Sequence, residues 1–201
     1  MAQDRLASRE EHVQFWRALA GKLKEGVPLV DALNAVAGQM EDTPYRVTAR
    51  TMAQGIESGA SLSETMSGKP AKFTDVLKAL VRAGESGGAL DVAADRIAEA
   101  IEAGDICPLG CEPAAEREVR WWRLLALMVS SGVPLVEALG KLRADIAWGE
   151  MNEALGAIRH AVTEGRSFSE AARQFPSLFP AGVCNALSAA EAEGRFHEAL
   201  Q

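Results

Sequence analysis

Gly84-Glu85-Ser86-Gly87-Gly88 satisfies Gly-x-Ser-x-Gly, the pattern of a hydrolase nucleophile elbow. In that chemistry a strained strand-to-helix turn exposes the serine hydroxyl beside an oxyanion hole, so a strand must precede the serine. The residues before it here, Val76, Leu77, Leu80 and Val81, have helical spacing instead. The same glycines lack the following Lys-Ser/Thr of a phosphate-binding loop. Three cysteines (Cys107, Cys111, Cys184) and three histidines (His12, His160, His197) do not fall at the spacings of a four-ligand zinc site. The plain reading is a linker with free thiols, no metal and no cofactor. Too few for a disulfide framework, the cysteines fit a reducing compartment.

Glu85 and Glu191 are the carboxylates of most interest, because they occupy equivalent corners of an internal repeat rich in glycine and alanine. Each could accept hydrogen bonds from the N-terminal amides of the helix that follows, where negative charge is favoured. Alternatively, the corner presents the carboxylate to a partner or a cation. The residue types alone do not decide between these.

The repeat is what positions those residues. Gly26-Val27-Pro28-Leu29-Val30-Asp31-Ala32-Leu33 returns as Gly132-Val133-Pro134-Leu135-Val136-Glu137-Ala138-Leu139, an offset of 106 residues. Without a gap the same offset pairs Trp16 with Trp122, Arg17 with Arg123, Ser61 with Ser167 and Glu64 with Glu170. It continues through Pro70 and Pro176, Phe73 and Phe179, Glu85 and Glu191, and Gly88 and Gly194. One register held over that length means one structural unit duplicated. Ser86 is not kept, having Ala192 as its counterpart, which weakens the hydrolase reading further.

Within each copy the periodicity is helical. Val13, Trp16, Leu19, Ala20 and Leu23 recur at three and four residues, predicting a helix from about Glu10 to Glu25. Gly26 and Gly132 then end a helix, and Pro28 and Pro134 supply a fixed φ suited to the first turn of the next. Leu29 and Leu33 begin the apolar face of that second helix, which runs to about Met40. A third carries Val47, Met52 and Ile56 towards Gly59. Ser61-x-x-Glu64 and Ser167-x-x-Glu170 are capping boxes opening a short fourth helix. Pro70-Ala71-Lys72-Phe73 closes it, and a fifth helix buries Val76, Leu77, Leu80 and Val81. The stretch Ala83 to Leu90, with Gly88 (Gly194 in the second copy), turns into a sixth helix ending near Gly104. Trp16 and Trp122 are expected in the core. Trp121 cannot share a face with Trp122, so one of them should be more exposed or should cover the interface between the repeats; Trp148, at the start of the third helix of the second copy, is open in the same way.

Composition agrees. The chain has 201 residues, 48% of them hydrophobic, with few aromatics and no alternating strand pattern of useful length. Its net charge is −7, and its basic residues are scattered, which argues against a nucleic-acid surface. The uncharged stretch Leu124 to Val136 is too short to cross a bilayer, and the N-terminus lacks the apolar core of a secretory signal.

Four segments in a fixed order resemble a known family: Phe15 to Leu33 with its Gly-Val-Pro-Leu corner, Gly59 to Glu64, Pro70 to Phe73, and Ala83 to Leu90. They are similar to the cytoplasmic domain of type II secretion F proteins and the related inner-membrane platform proteins of type IV pilus assembly. The resemblance implies an all-α fold of two tandem six-helix bundles, about twelve short helices. The first repeat would be residues 10–104, with a linker at 105–114 and a C-terminally shortened second repeat at 115–201. It implies a non-catalytic interaction module with protein partners, a secretion or pilus assembly ATPase or a platform protein, or a second copy in a homodimer. Between Ile101 and Trp122, where the family places a transmembrane hairpin, this chain has a short polar linker. The expected location is therefore cytoplasmic, associated with the inner membrane only through partners. Two rival readings are a stand-alone helical scaffold or regulator unconnected to secretion, and a small-ligand binder using a cleft between repeats.

Overall fold

The computed structural model describes residues 7–40, 43–67, 73–107, 117–146 and 149–200. Pro70, Pro108, Cys111 and Trp148 lie outside them. Among the described residues the regular structure is entirely helical. The first unit holds α1 (Arg9–Lys24), α2 (Leu29–Gln39), α3 (Pro44–Glu57), α4 (Leu62–Ser67), α5 (Asp75–Gly87) and α6 (Leu90–Glu102). The second holds α7 (Arg117–Ser130), α8 (Leu135–Ile146), α9 (Gly149–Thr163), α10 (Phe168–Ala172), α11 (Ala181–Ala192) and a 3-10 turn, η1 (Glu198–Leu200). Packing divides the chain into two compact units, Met1–Glu116 and Arg117–Gln201.

A capping box that sequence reading missed starts α1. Ser8 Oγ accepts from the Glu11 amide at 3.2 Å, and the Glu11 carboxylate accepts from the Ser8 amide at 2.8 Å. Ser8-x-x-Glu11 was a legible signal, worth about 1 kcal/mol of helix stability. The buried face is His12, Phe15, Trp16, Leu19 and Ala20. Val13 and Leu23 are only half-buried, because the stripe is centred on Phe15 and Trp16. His12 is buried because its Nδ1 hydrogen-bonds the Tyr45 hydroxyl of α3 and its ring meets Tyr45 edge-on.

Gly26 takes φ 78° and Gly132 φ 86°, a region that strains any residue with a β-carbon. Pro28 follows at φ −54° and ψ 144°, so it stands just outside α2 rather than within its first turn. There it lacks no needed donor, and its carbonyl accepts the first intrahelical bond, from Ala32 at 2.8 Å. Pro134 does the same for Ala138 at 2.9 Å. Leu33 is buried in α2 with Ala32, Val36 and Ala37, while Leu29 is half-buried.

The expected face of α3 was out of phase. Val47 is 43% exposed, and the helix buries Tyr45, Thr48, Ala49, Met52 and Ala53. Positions 45, 48, 49 and 52 follow the helical repeat, and Val47 falls on the opposite side. Ile56 is half-buried.

Two further corrections concern the glycine-rich corner. Helix α5 continues through Gly84, Glu85, Ser86 and Gly87, and only Gly88, at φ 64°, leaves the right-handed region. Gly194, at φ 69°, does so in the second unit. One left-handed residue suffices to turn the chain, so the preceding glycines are free to be helical. Gly84 has a different reason: a β-carbon there would lie 2.6 Å from Ala93 Cβ, so α5 and α6 approach at a distance that only glycine permits. The second unit has Ala190 at that position, and residues 195–200 form turns and η1 rather than an α-helix. Leu200 of η1 is buried, and η1 packs on α7 and α11.

Trp121, at the Phe15 position, is 1% exposed, whereas Trp122, at the Trp16 position, is half-buried. The two rings stack on each other with centroids 4.1 Å apart, and both meet Phe179 edge-on. The unequal burial of the tryptophan pair is thus observed, with the repeat partner of Trp16 as the less buried member.

Gly84→Ala should lower the stability of the chain by about 1–3 kcal/mol through overpacking against Ala93, outweighing the roughly 1 kcal/mol gained in helix propensity. Urea denaturation followed by helical circular dichroism reads this as a lower midpoint. An unchanged midpoint would contradict the close approach of α5 and α6.

Candidate functional site

Ser61 and Glu85, and their repeat partners Ser167 and Glu191, converge on the start of the short helix in each unit. Ser61 Oγ accepts from the Glu64 amide at 3.2 Å, and the Glu64 carboxylate accepts from the Ser61 amide at 2.7 Å. In the second unit Ser167 Oγ accepts from the Glu170 amide at 3.1 Å, the forward half of the same arrangement. A six-residue helix has more unpaired N-terminal amides than this satisfies.

The remaining amides are taken by the corner glutamate. One carboxylate oxygen of Glu85 accepts from Leu62 N–H at 2.6 Å and the other from Ser63 N–H at 3.2 Å. Glu191 repeats the geometry, accepting from Phe168 N–H at 2.7 Å and Ser169 N–H at 3.2 Å, with the Ser169 hydroxyl as a further donor. Both glutamates therefore cap a helix N-terminus, but of the fourth helix in each unit, 22–23 residues earlier in the chain, and not of the sixth. The reason is direction. Because α5 runs on through Glu85, that side chain leaves the last turns of α5 sideways, towards α4, while Gly88 and Ala89 lie between it and α6. Ser61 and Ser63 hydroxyls sit 3.1 Å apart beside it, and Ser167 and Ser169 3.2 Å apart.

Chemically this arrangement binds backbone. A carboxylate that accepts from two amides, one on each oxygen, is held and neutralised by a helix N-terminus rather than presented to a substrate. Ser86 is exposed on a helix, with no strand before it. Cys184 is buried, with its thiol 3.5 Å from the Phe179 carbonyl, and Cys107 lies 3.6 Å from the Gly104 carbonyl. Among the described residues no three of His, Cys, Asp and Glu converge as metal ligands. His12 and Tyr45, which sequence reading passed over as a pair, are joined in the core of the first unit. Their separation of 33 residues left no local signal.

The outer faces carry exposed apolar residues at Val47 of α3, Val92 of α6 and Val183 of α11. No helix among the described residues is long and apolar enough to cross a membrane.

A family model for "Type II secretion system (T2SS), protein F" matches residues 15–105 and again 121–201. Among curated proteins, the type IV pilus assembly protein PilC of Thermus thermophilus is 36% identical over 88 residues, 44% of this chain and 21% of that protein. The type IV pilus assembly protein TapC of Aeromonas hydrophila is 37% identical over 82 residues, 41% of this chain and 20% of its own length. The type II secretion system protein F of Vibrio cholerae is 33% identical over 86 residues, 43% of this chain and 21% of its own. Each alignment thus takes in somewhat under half of this chain and about a fifth of the relative's length.

Glu85→Ala should destabilise the first unit by about 2 kcal/mol, the scale of hydrogen bonds to a charged acceptor lost from a half-buried site. The Leu62 and Ser63 amides should then exchange with solvent faster, while the Ser61–Glu64 box stays formed; equal exchange rates in variant and parent would refute the cap. Glu64 gives a pH prediction. Its carboxyl is held below the ordinary carboxylate range by the Ser61 backbone N–H and then by further bonding to Ser61. A depressed acid contributes stability above its unfolded value and loses it as pH falls through the lower, folded one. The Ser61 amide resonance should accordingly titrate with a midpoint below that of an unperturbed glutamate, and a midpoint at the ordinary value would contradict the bond.

Proposed function

The chain belongs to the type II secretion system protein F family, and from that premise we propose that it is a non-catalytic protein–protein interaction module serving secretion or pilus assembly. The carrying observation is that the family match falls on both repeats, while the polar residues repeated within them close on backbone amides. Ser61, Glu64 and Glu85, with Ser167 and Glu191, are engaged in holding helices, which supports a scaffold and offers no nucleophile–base pair. What the repeats present outward is a set of helical faces with single exposed valines and scattered charges, suited to docking another folded surface.

Its partners in this reading are an assembly ATPase, an inner-membrane platform protein or a second copy of itself. Placement at the inner membrane would come through those partners. The two repeats, each an F-type helical unit, would offer two related but unequal docking faces in one chain.

Affinity capture from native cells with the whole chain as bait tests this. An assembly ATPase or a platform protein should be enriched over a bait with one exposed valine replaced in each unit, Val47→Asp together with Val183→Asp. Enrichment of neither, in cells shown to express both, would sink the secretion reading and leave a scaffold with other duties.

A further inference from the structure

The two units differ at the sixth helix. In the first, α5 and α6 are joined by Gly88 and Ala89 alone and meet at Gly84 and Ala93. They therefore form an antiparallel hairpin, with the second half of α6 beside the first half of α5. In that unit Val76, Leu77, Ala79 and Leu80 of α5 are all buried. The repeat puts Gly182, Val183, Asn185 and Ala186 of α11 at those positions, and all four are exposed, Val183 at 37%. The buried residues of α11 are Cys184 and Leu187.

Following directly on the Gly194 corner, η1 takes the place of the first turn of α6 and packs on α7 and α11. It does so with a larger side chain: Leu200 is buried at the repeat position of Ala94. The other end of α11 stays open. From Ala181 to Ala190 it has no charged residue, whereas the matching stretch of α5 carries Asp75, Lys78 and Arg82. A solvated helix face ordinarily carries charge, and this one offers glycine, alanine and valine instead. Small residues by themselves do not mark a site; here the duplicate unit has a helix folded back along the same positions.

We propose that the open end of α11 is a docking face for one amphipathic helix of a protein partner, laid antiparallel as α6 lies on α5, with leucine or isoleucine at its contact positions. The occupant's chemistry follows from the exchange of Val76, Leu77 and Leu80 for Gly182, Val183 and Ala186. The surface is lowered, so a helix seated there fills it with larger residues than the alanines of α6, as Leu200 does at the place of Ala94. A second copy of the chain does not supply that helix, because each copy has one α6, already seated on its own α1 and α5. Arg17, which pairs with Glu102 of α6, has the exposed Arg123 as its counterpart, so an acid near the end of the incoming helix meets the same kind of cation. The docking face names a partner chemistry for the interaction-module reading and rests on it for its biological setting. Its test needs no secretion component, so the two can fail separately.

The probe is a labelled peptide with the α6 sequence, Ala89 to Gly104, carrying Ala94→Leu and Ala98→Leu, titrated against the whole chain by fluorescence anisotropy. A twin carries Ile97→Asp and Ile101→Asp as well. The leucine probe should bind saturably and its twin should not. In the chain, Val183→Glu with Ala186→Glu should weaken binding about tenfold by setting charges under the seated helix. Gln54→Glu, exposed on α3, should leave it unchanged, with helical circular dichroism showing that each variant is folded. No saturable binding, or equal binding of the twin, would overturn the docking face. Undiminished binding to the α11 double variant would do the same by pointing to exchange with α6 of the first unit, and equal weakening by Gln54→Glu would reduce the effect to net charge and overturn it. A dimer in sedimentation that dissociates in the α11 double variant would also overturn it, by giving the face to a second copy.

Discussion

A helix of five or six residues cannot stand on its own hydrogen bonds, because most of its N-terminal amides have no partner one turn back. Both units contain such a helix, α4 and α10, in the middle of their folds. Each is held by a glutamate reaching from the end of the next long helix to two of those amides. The bond ties a local cap to a tertiary contact. It fixes where α5 lies against α4, and through the left-handed glycine that follows, it fixes where the chain turns. Burial of Leu62 and Met66 in one unit and Phe168 in the other completes the attachment.

From that shared anchor the units diverge. In the first, α6 lies along α1 and against α5 and buries Ala94, Ile97, Ala98 and Ile101. Lys24–Asp95 and Arg17–Glu102 flank the contact, but all four side chains are substantially exposed and such pairs contribute little beside the apolar face. Gly84 is required because Ala93 stands against it. In the second unit the chain turns into η1, and alanine at 190 is tolerated.

Duplication followed by divergence also accounts for the distribution of polar chemistry. Among the residues kept in both copies, the corner glycines, the helix-opening prolines, the capping serines and the corner glutamates serve the backbone. Residues that differ are where a particular role can reside. The uncharged, exposed face of α11 belongs to that second class, as does the exchange of Phe15 for Trp121 beside the retained Trp16 and Trp122.

The existence of the helices, their corners at Gly26, Gly88, Gly132 and Gly194, and the serine caps were legible in the residues themselves, because each depends on φ preference, short-range spacing or a side chain reaching three residues along. The limit of that legibility is distance along the chain. Which helix Glu85 and Glu191 cap depends on contacts 22–23 residues apart, and reading the nearest helix as the partner gave the right bond with the wrong helix. Val47 faces outward because the neighbours of α3 set its rotation, and a stripe of apolar residues marks a face without saying which side is covered. His12 and Tyr45 meet only because α1 and α3 share a core. Local stereochemistry determined the segments and their punctuation; only the packing of those segments decided which polar group each end meets, since a hydrogen bond between distant residues leaves no periodicity behind.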